Sequence, residues 1–169
     1  ATAFHGIPQA TFTVDADPTK TTMTAPNGRF ILCVAPSDGL ATITPMGLSA
    51  NYIGGKVKID KTVIQSGATL SYRSFTMARA ADFGFDAGLA HVFVHVHGGT
   101  RTVTTADAPA VKKHFDGTSW VDGNTGDNIY LGNIAGTTTA IQVSGGGATG
   151  ASSIPLMAGA FTYVTIIAK

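Results

Sequence analysis

His91-Val92-Phe93-Val94-His95-Val96-His97 alternates without a break. In an extended chain successive side chains point to opposite faces, so His91, Phe93, His95 and His97 share one face and three valines share the other. β-Branched and aromatic residues suit a pleated surface. The stretch therefore reads as a strand. Its valines are expected to enter the core, and its histidines to face solvent or a subunit interface.

The same short-strand pattern recurs on both sides of it. Residues 11–14 and 19–24 flank the turn Asp15-Ala16-Asp17-Pro18. Asn27-Gly28, a strong hairpin dipeptide, leads into residues 29–34. Residues 40–44 alternate, and Val57 and Ile59 alternate with Lys56 and Lys58, which are expected to point outward. Further strands are expected over 68–75, after the turn Gln65-Ser66-Gly67, and over 101–105, 128–131, 140–144 and 161–168. Helix is expected only as a turn or two at 77–82 and a short turn from Asp107 to residue 113. The latter would end in Lys112, Lys113 and His114, matching the sign of a helix C-terminus. Neither could build an α/β layer. The fold class is therefore all-β: an antiparallel sandwich, jelly-roll-like, of about ten short strands with little helix.

Composition agrees. All ten acidic residues are aspartate, and the helix former glutamate is absent from the 169 residues. Charged residues make up 12% of the chain, against roughly 25% in an ordinary soluble domain. A surface so poor in charge suits a protein packed against neighbours. The net charge of +1 gives no electrostatic footprint for nucleic acid or an anionic membrane. No apolar run approaches the ~20 residues that span a bilayer. The opening Ala1-Thr2-Ala3 lacks the basic and apolar regions of a signal peptide and matches removal of an initiator Met, so synthesis in the cytoplasm is expected. The single cysteine, Cys33, excludes an internal disulfide. Its apolar setting Phe30-Ile31-Leu32-Cys33-Val34 predicts burial as a small hydrophobe.

Residues 1–10 read as an N-terminal arm, with Phe4, Ile7 and Pro8 as contacts to a neighbouring subunit. Residues 11–169 read as a single β domain. Residues 116–169 are rich in turn formers and form either a C-terminal β-module or long loops between the last strands. The Gly-rich run at 144–150 is expected to be mobile.

His95 and His97 lie about 7 Å apart along a strand, within reach of one metal ion, and neutral imidazoles suit Zn, Cu, Fe or Ni. His91, about 13 Å from His95, cannot easily join them. Completing a site takes His5, His114 or an aspartate, or one histidine from each chain at a threefold axis. No cofactor is expected beyond such an ion. The pair resembles the start of a cupin metal motif, but Gly98-Gly99-Thr100-Arg101 stands where the cupin glutamate falls. There is no Gly-x-Ser-x-Gly elbow, no Gly-Lys-Ser/Thr phosphate loop and no bidentate Glu to close a calcium loop at residues 116–127. The expectation is a protein that is not an enzyme. Trp120, in a Gly/Asp-rich stretch, is either a platform for a glycan or a hydrophobic lid over one end of the core.

Asn128-Ile129-Tyr130-Leu131-Gly132-Asn133, then Ile154-Pro155-Leu156-Met157-Ala158-Gly159, then the strand at 161–168 resemble the C-terminal β-modules of tailed-phage virion proteins. Phe115-Asp116-Gly117-Thr118-Ser119-Trp120 is similar to stretches of phage head-decoration and fibre proteins. The resemblance implies a structural virion protein without an active site. Such a protein would bind the phage major capsid protein on the capsid exterior and stabilise the head by bridging its subunits, often as a trimer. A glycan-binding fibre module and a cupin-like metal-dependent protein are the alternatives.

Overall fold

The computed structural model describes residues 6–35, 39–65, 72–144, 148–149 and 153–168. The strands are β1 (Ala10–Val14), β2 (Asp17–Met23), β3 (Leu40–Pro45), β4 (Gly55–Lys58), β5 (Ala90–His97), β6 (Arg101–Thr105), β7 (Val111–Phe115), β8 (Trp120–Asp122), β9 (Thr125–Gly126), β10 (Asn128–Ile134), β11 (Thr138–Thr139), β12 (Ile141–Ser144), β13 (Ala148–Thr149), β14 (Ile154–Pro155) and β15 (Phe161–Ala168). Two short helices, α1 (Lys61–Gln65) and α2 (Met77–Ala81), complete the described elements with one 3₁₀ turn at Gly47–Ser49. None of these helices is long and apolar enough to cross a membrane.

The fold is all-β and sandwich-like. Its main sheet runs β2-β1-β3-β4-β15-β5-β10-β7-β8, with β13 on the end of β15; a second sheet runs β12-β6-β9, and β11 pairs with β14. Most pairings are antiparallel, but β15 runs parallel to both β4 and β5. Parallel strands are usually covered on both faces and read as continuous apolar runs. The first six residues of β15 are all buried, and so are the first five of β5.

One face of the sheet carries Phe12, Ile43, Val57, Phe93, Tyr130, Phe161 and Tyr163. The segment 72–85, which includes α2, lies over it. Phe75 is its hub, with ring centroids 5.0 Å from Phe83, 5.4 Å from Trp120 and 5.7 Å from Tyr130. The opposite face carries Val92, Val94, Val96, Ile129, Leu131, Val164 and Ile166, packed against Val103, Ile141, Ile154 and Leu156. Both faces of β5 are therefore inside, and the alternation at 91–97 separates two cores rather than core from solvent. His91 is fully buried, against the expectation of a solvent or interface face for it.

Other expectations change for local reasons. Residues 29–34 keep their alternation but form no ladder. They cross the sheet face instead, with Phe30 stacked on Phe12 at 3.9 Å and Leu32 and Val34 packed on the core. That turns Ile31 and Cys33 outward, so the thiol is exposed rather than buried. The turn expected from Asp107 to residue 113 is replaced by β7. There Lys113 lies opposite Tyr130 on one side and Asp122 on the other, and its Nζ reaches Asp122 Oδ1 at 2.7 Å. Of the strand expected over 68–75, residues 68–71 lie outside the described residues and 72–75 are irregular. Lys56 is half-buried rather than fully outward, paired with Asp15 at 2.7 Å.

Phe4 lies outside the described residues, as does most of the Gly-rich run. Ile7 and Pro8 are half-buried, and Ile7 packs on the core. The Ile7 carbonyl accepts a hydrogen bond from Thr24 Oγ1 at 2.6 Å, and the Gln9 carbonyl accepts one from the Met46 N–H at 3.1 Å. Residues 6–10, read from sequence as part of an arm, are thus tied to the body of the domain. β10 and β15 sit on either side of β5, so residues 116–169 share one sheet with the earlier strands.

Candidate functional site

The aromatic face of β5 holds two polar clusters. At its start, His91 Nδ1 lies 2.9 Å from Tyr130 Oη and Nε2 lies 3.0 Å from the Asp86 carbonyl. A carbonyl only accepts, so Nε2 carries the proton. Nδ1 then accepts from the Tyr130 hydroxyl, and the Asn133 N–H approaches it at 3.4 Å. Phe85 stacks on the ring at 3.9 Å. Burial lowers the His91 pKa, opposed by the Asp86 carbonyl and charge. Burial also raises that of Tyr130.

A bulge in β10 makes this arrangement. Pairing with β5 shifts between Leu131 and Ile134, and Asn133 adopts a left-handed φ of 59°. Its side chain accepts from the Asp86 N–H at 3.0 Å and donates to the Gly84 carbonyl at 2.8 Å. A Cβ at Gly132 would run into the Tyr130 hydroxyl.

The second cluster is at the other end of β5. Register aligns Asn128 of β10, His95 of β5 and Thr165 of β15 in one row. Tyr163 lies two residues before Thr165, beside Phe93. His95 Nδ1 is 3.1 Å from Asn128 Oδ1. Burial lowers the His95 pKa, and the positive charge of Arg73 lowers it further. Arg73 also acts electrostatically on Tyr163, whose pKa burial raises. Tyr163 Oη and Thr165 Oγ1 are buried, and Thr165 and Arg73 stand near enough to the Tyr163 hydroxyl to oppose the effect of its burial.

His95 and His97 have ring centroids 6.3 Å apart, with His95 half-buried and His97 exposed. His91 is separately engaged by Tyr130 and Asp86. His114 lies opposite Ile129, itself opposite Val94, which places it on the other face of the sheet. His5 lies outside the described residues. Among the described residues, no three His, Cys, Asp or Glu side chains are grouped to hold a metal ion. Trp120 is half-buried, with its ring edge-on to Phe93 at 5.3 Å and tilted against Phe115 at 5.7 Å. It lies over the end of the aromatic core.

Sequence reasoning missed Tyr163, Thr165, Asn128 and Arg73. The usable signal was polar residues inside the apolar closing strand, on the face that its partner strand gives to histidine.

A third feature is a surface. Thr21, Thr13, Thr42, Lys56, Thr162, Val92 and Leu131 are successive cross-strand partners and share one face of the main sheet. Toward β15, β5 and β10 this face is apolar and covered by the second sheet. Toward β2, β1 and β3 it is threonine-rich, and no described residue forms a layer over it. Met23 lies opposite Thr11 there, and Thr11 Oγ1 contacts Met46 Sδ at 3.5 Å. Met23, Met46 and Leu48 are 59%, 52% and 76% exposed. The chain matches no protein-family model, no curated protein and no solved structure.

Proposed function

We propose that the chain is a structural protein of a phage virion, a decoration or cement protein. It binds the major capsid protein on the capsid exterior and stabilises the head by bridging capsid subunits, itself assembled as a trimer. The observation that carries this reading is the β2-β1-β3 face, over which no described residue forms a layer, with the exposed Met23 and Met46 on it and the exposed Leu48 two residues beyond Met46. Interface centres are depleted in charge and enriched in methionine, whose flexible thioether adapts to a partner surface. Threonines in fixed cross-strand pairs, such as Thr13 and Thr21 with oxygens 3.0 Å apart, add hydrogen-bonding capacity at little entropic expense. Two such faces meeting over roughly 1,600 Å² in total suffice for specific docking. Lys20 and Pro18 stand on the outer strand β2, and residues of these types discourage edge-to-edge pairing, which favours docking by the face. The resemblance of residues 128–159 to phage virion modules supports the same assignment.

The test is co-sedimentation with decoration-free heads built from the major capsid protein of the same genome. The wild-type chain is expected to saturate the heads and raise their resistance to heat. The double variant Met23→Asp/Leu48→Asp is expected to lose at least tenfold in head affinity while its own stability changes by only about 0.5 kcal/mol per site, as for exposed positions. Wild-type protein that stays in the supernatant, or a variant that binds as well as wild type, overturns the reading.

A further inference from the structure

Methionine is ordinarily among the residues that a fold buries. This chain has four, and every one is at the surface: Met23, Met46, Met77 and Met157 are 59%, 52%, 53% and 42% exposed. None belongs to either core cluster. Each side chain is therefore open to solvent, and chemistry at its sulfur leaves the packing of the sandwich untouched.

Two of the four stand together on the threonine-rich face. Met23 is the cross-strand partner of Thr11, which puts their Cβ atoms about 5 Å apart on one face. The Thr11 hydroxyl in turn donates to Met46 Sδ at 3.5 Å. The other two are elsewhere. Met77 opens α2, in the segment over the aromatic face, and Met157 lies in the connection between β14 and β15.

A thioether is apolar and adapts to a partner surface, whereas its sulfoxide is polar and chiral. A peroxide makes the conversion in one step. A sulfur lone pair attacks the peroxide, an S–O bond forms, the O–O bond breaks, and the second oxygen leaves as water. Sulfur loses two electrons and the peroxide gains them. The new oxygen is a hydrogen-bond acceptor, and Thr11 already directs its hydroxyl at the Met46 sulfur. The oxidised side chain thus gains a polar partner in its own chain and loses its fit to an apolar one across an interface.

We propose that Met23 and Met46 are sites of peroxide oxidation, and that their conversion to sulfoxides releases the chain from its capsid partner while the fold stays intact. The proposal rests on the capsid reading and adds a chemical control to the same face. The control is reversible, because sulfoxide reductases return each epimer to the thioether.

The test uses the full chain carrying Cys33→Ser, so that the exposed thiol takes no part. Treatment with hydrogen peroxide is followed by peptide mass mapping, thermal unfolding and co-sedimentation with decoration-free heads. Met23 and Met46 are each expected to gain one oxygen, and the melting temperature to stay at its untreated value. Head affinity is expected to fall about tenfold and to return after incubation with reductases for both epimers. Met23→Leu/Met46→Leu, whatever its own starting affinity, is expected to bind equally before and after treatment. Met77→Leu/Met157→Leu should lose as much as the parent. Untreated protein that stays in the supernatant overturns the capsid reading and the proposal with it. Treated protein that binds as tightly as untreated overturns the proposal alone. So do unmodified Met23 and Met46, a loss that persists in Met23→Leu/Met46→Leu, and a melting temperature that falls on oxidation, since docking would then be lost through unfolding.

Discussion

His91 is held as a neutral ring by what surrounds it. Its Nε2–H donates to a carbonyl and its Nδ1 accepts from a hydroxyl, so a second proton would displace the Tyr130 hydrogen bond. His95 shares the depressed pKa, through burial and the charge of Arg73. Both histidines bind a proton more readily in the unfolded chain than in the folded one. Stability from this source is therefore complete above the unfolded value of about 6.5 and declines as pH falls below it, levelling off once the folded values are passed. Urea midpoints are expected to fall between pH 7.5 and 5. His91→Phe should flatten part of that slope, while destabilising the protein at pH 7.5 by about 2–4 kcal/mol because the Tyr130 hydroxyl and the Asp86 carbonyl lose their partner. A variant with the wild-type slope would place the proton uptake elsewhere. None of this was legible in the alternation at 91–97, because periodicity separates two faces without saying what covers each. Cys33 went wrong for the converse reason: an apolar neighbourhood in sequence says nothing of which side of an unpaired segment faces the solvent.

Among the elements, the spans of β6 and β15 were readable to the residue, since β-branched runs bounded by turn formers leave little freedom. β7 was not. Lys112, Lys113 and His114 suit a helix end, and only the long-range pairing with β10 and β8 makes them a strand. The bulge in β10 was equally hidden, because Gly132-Asn133 looks like an ordinary turn until the hydroxyl of Tyr130 needs room. Asn133 carries both the left-handed backbone and two hydrogen bonds to the 84–86 segment, and substitutions can separate these roles. Asn133→Gly keeps the backbone and loses the bonds. Asn133→Ala loses both and is expected to be less stable than the glycine variant by about 1 kcal/mol. Denaturant titration of the pair measures the difference, and equal stabilities would show that the bulge carries no backbone strain.

On the scale of the whole molecule, one sheet has a face that changes character partway across, from threonine and lysine to valine and leucine. The composition foretold a surface poor in charge but could not say that threonines gather on one half-face, because that depends on strand order. The proposed trimer is tested at this scale. Light scattering of the purified chain is expected to give a mass near three times 17.3 kDa. Met23→Asp/Leu48→Asp then locates the contact: a variant that is still trimeric but no longer binds heads assigns the face to the capsid, and a monomeric variant assigns it to the trimer.

β15 lies between β4 and β5 and is hydrogen-bonded to both, although it is the last described strand to be synthesised. On a ribosome adding about 5–20 residues per second, β4 and β5 wait for seconds with no seam between them. During that interval their unpaired edges are open to any extended segment, including the same strand of a neighbouring nascent chain. Yield in a cell is therefore expected to depend on translation speed and crowding on the polysome as well as on the stability of the finished sheet.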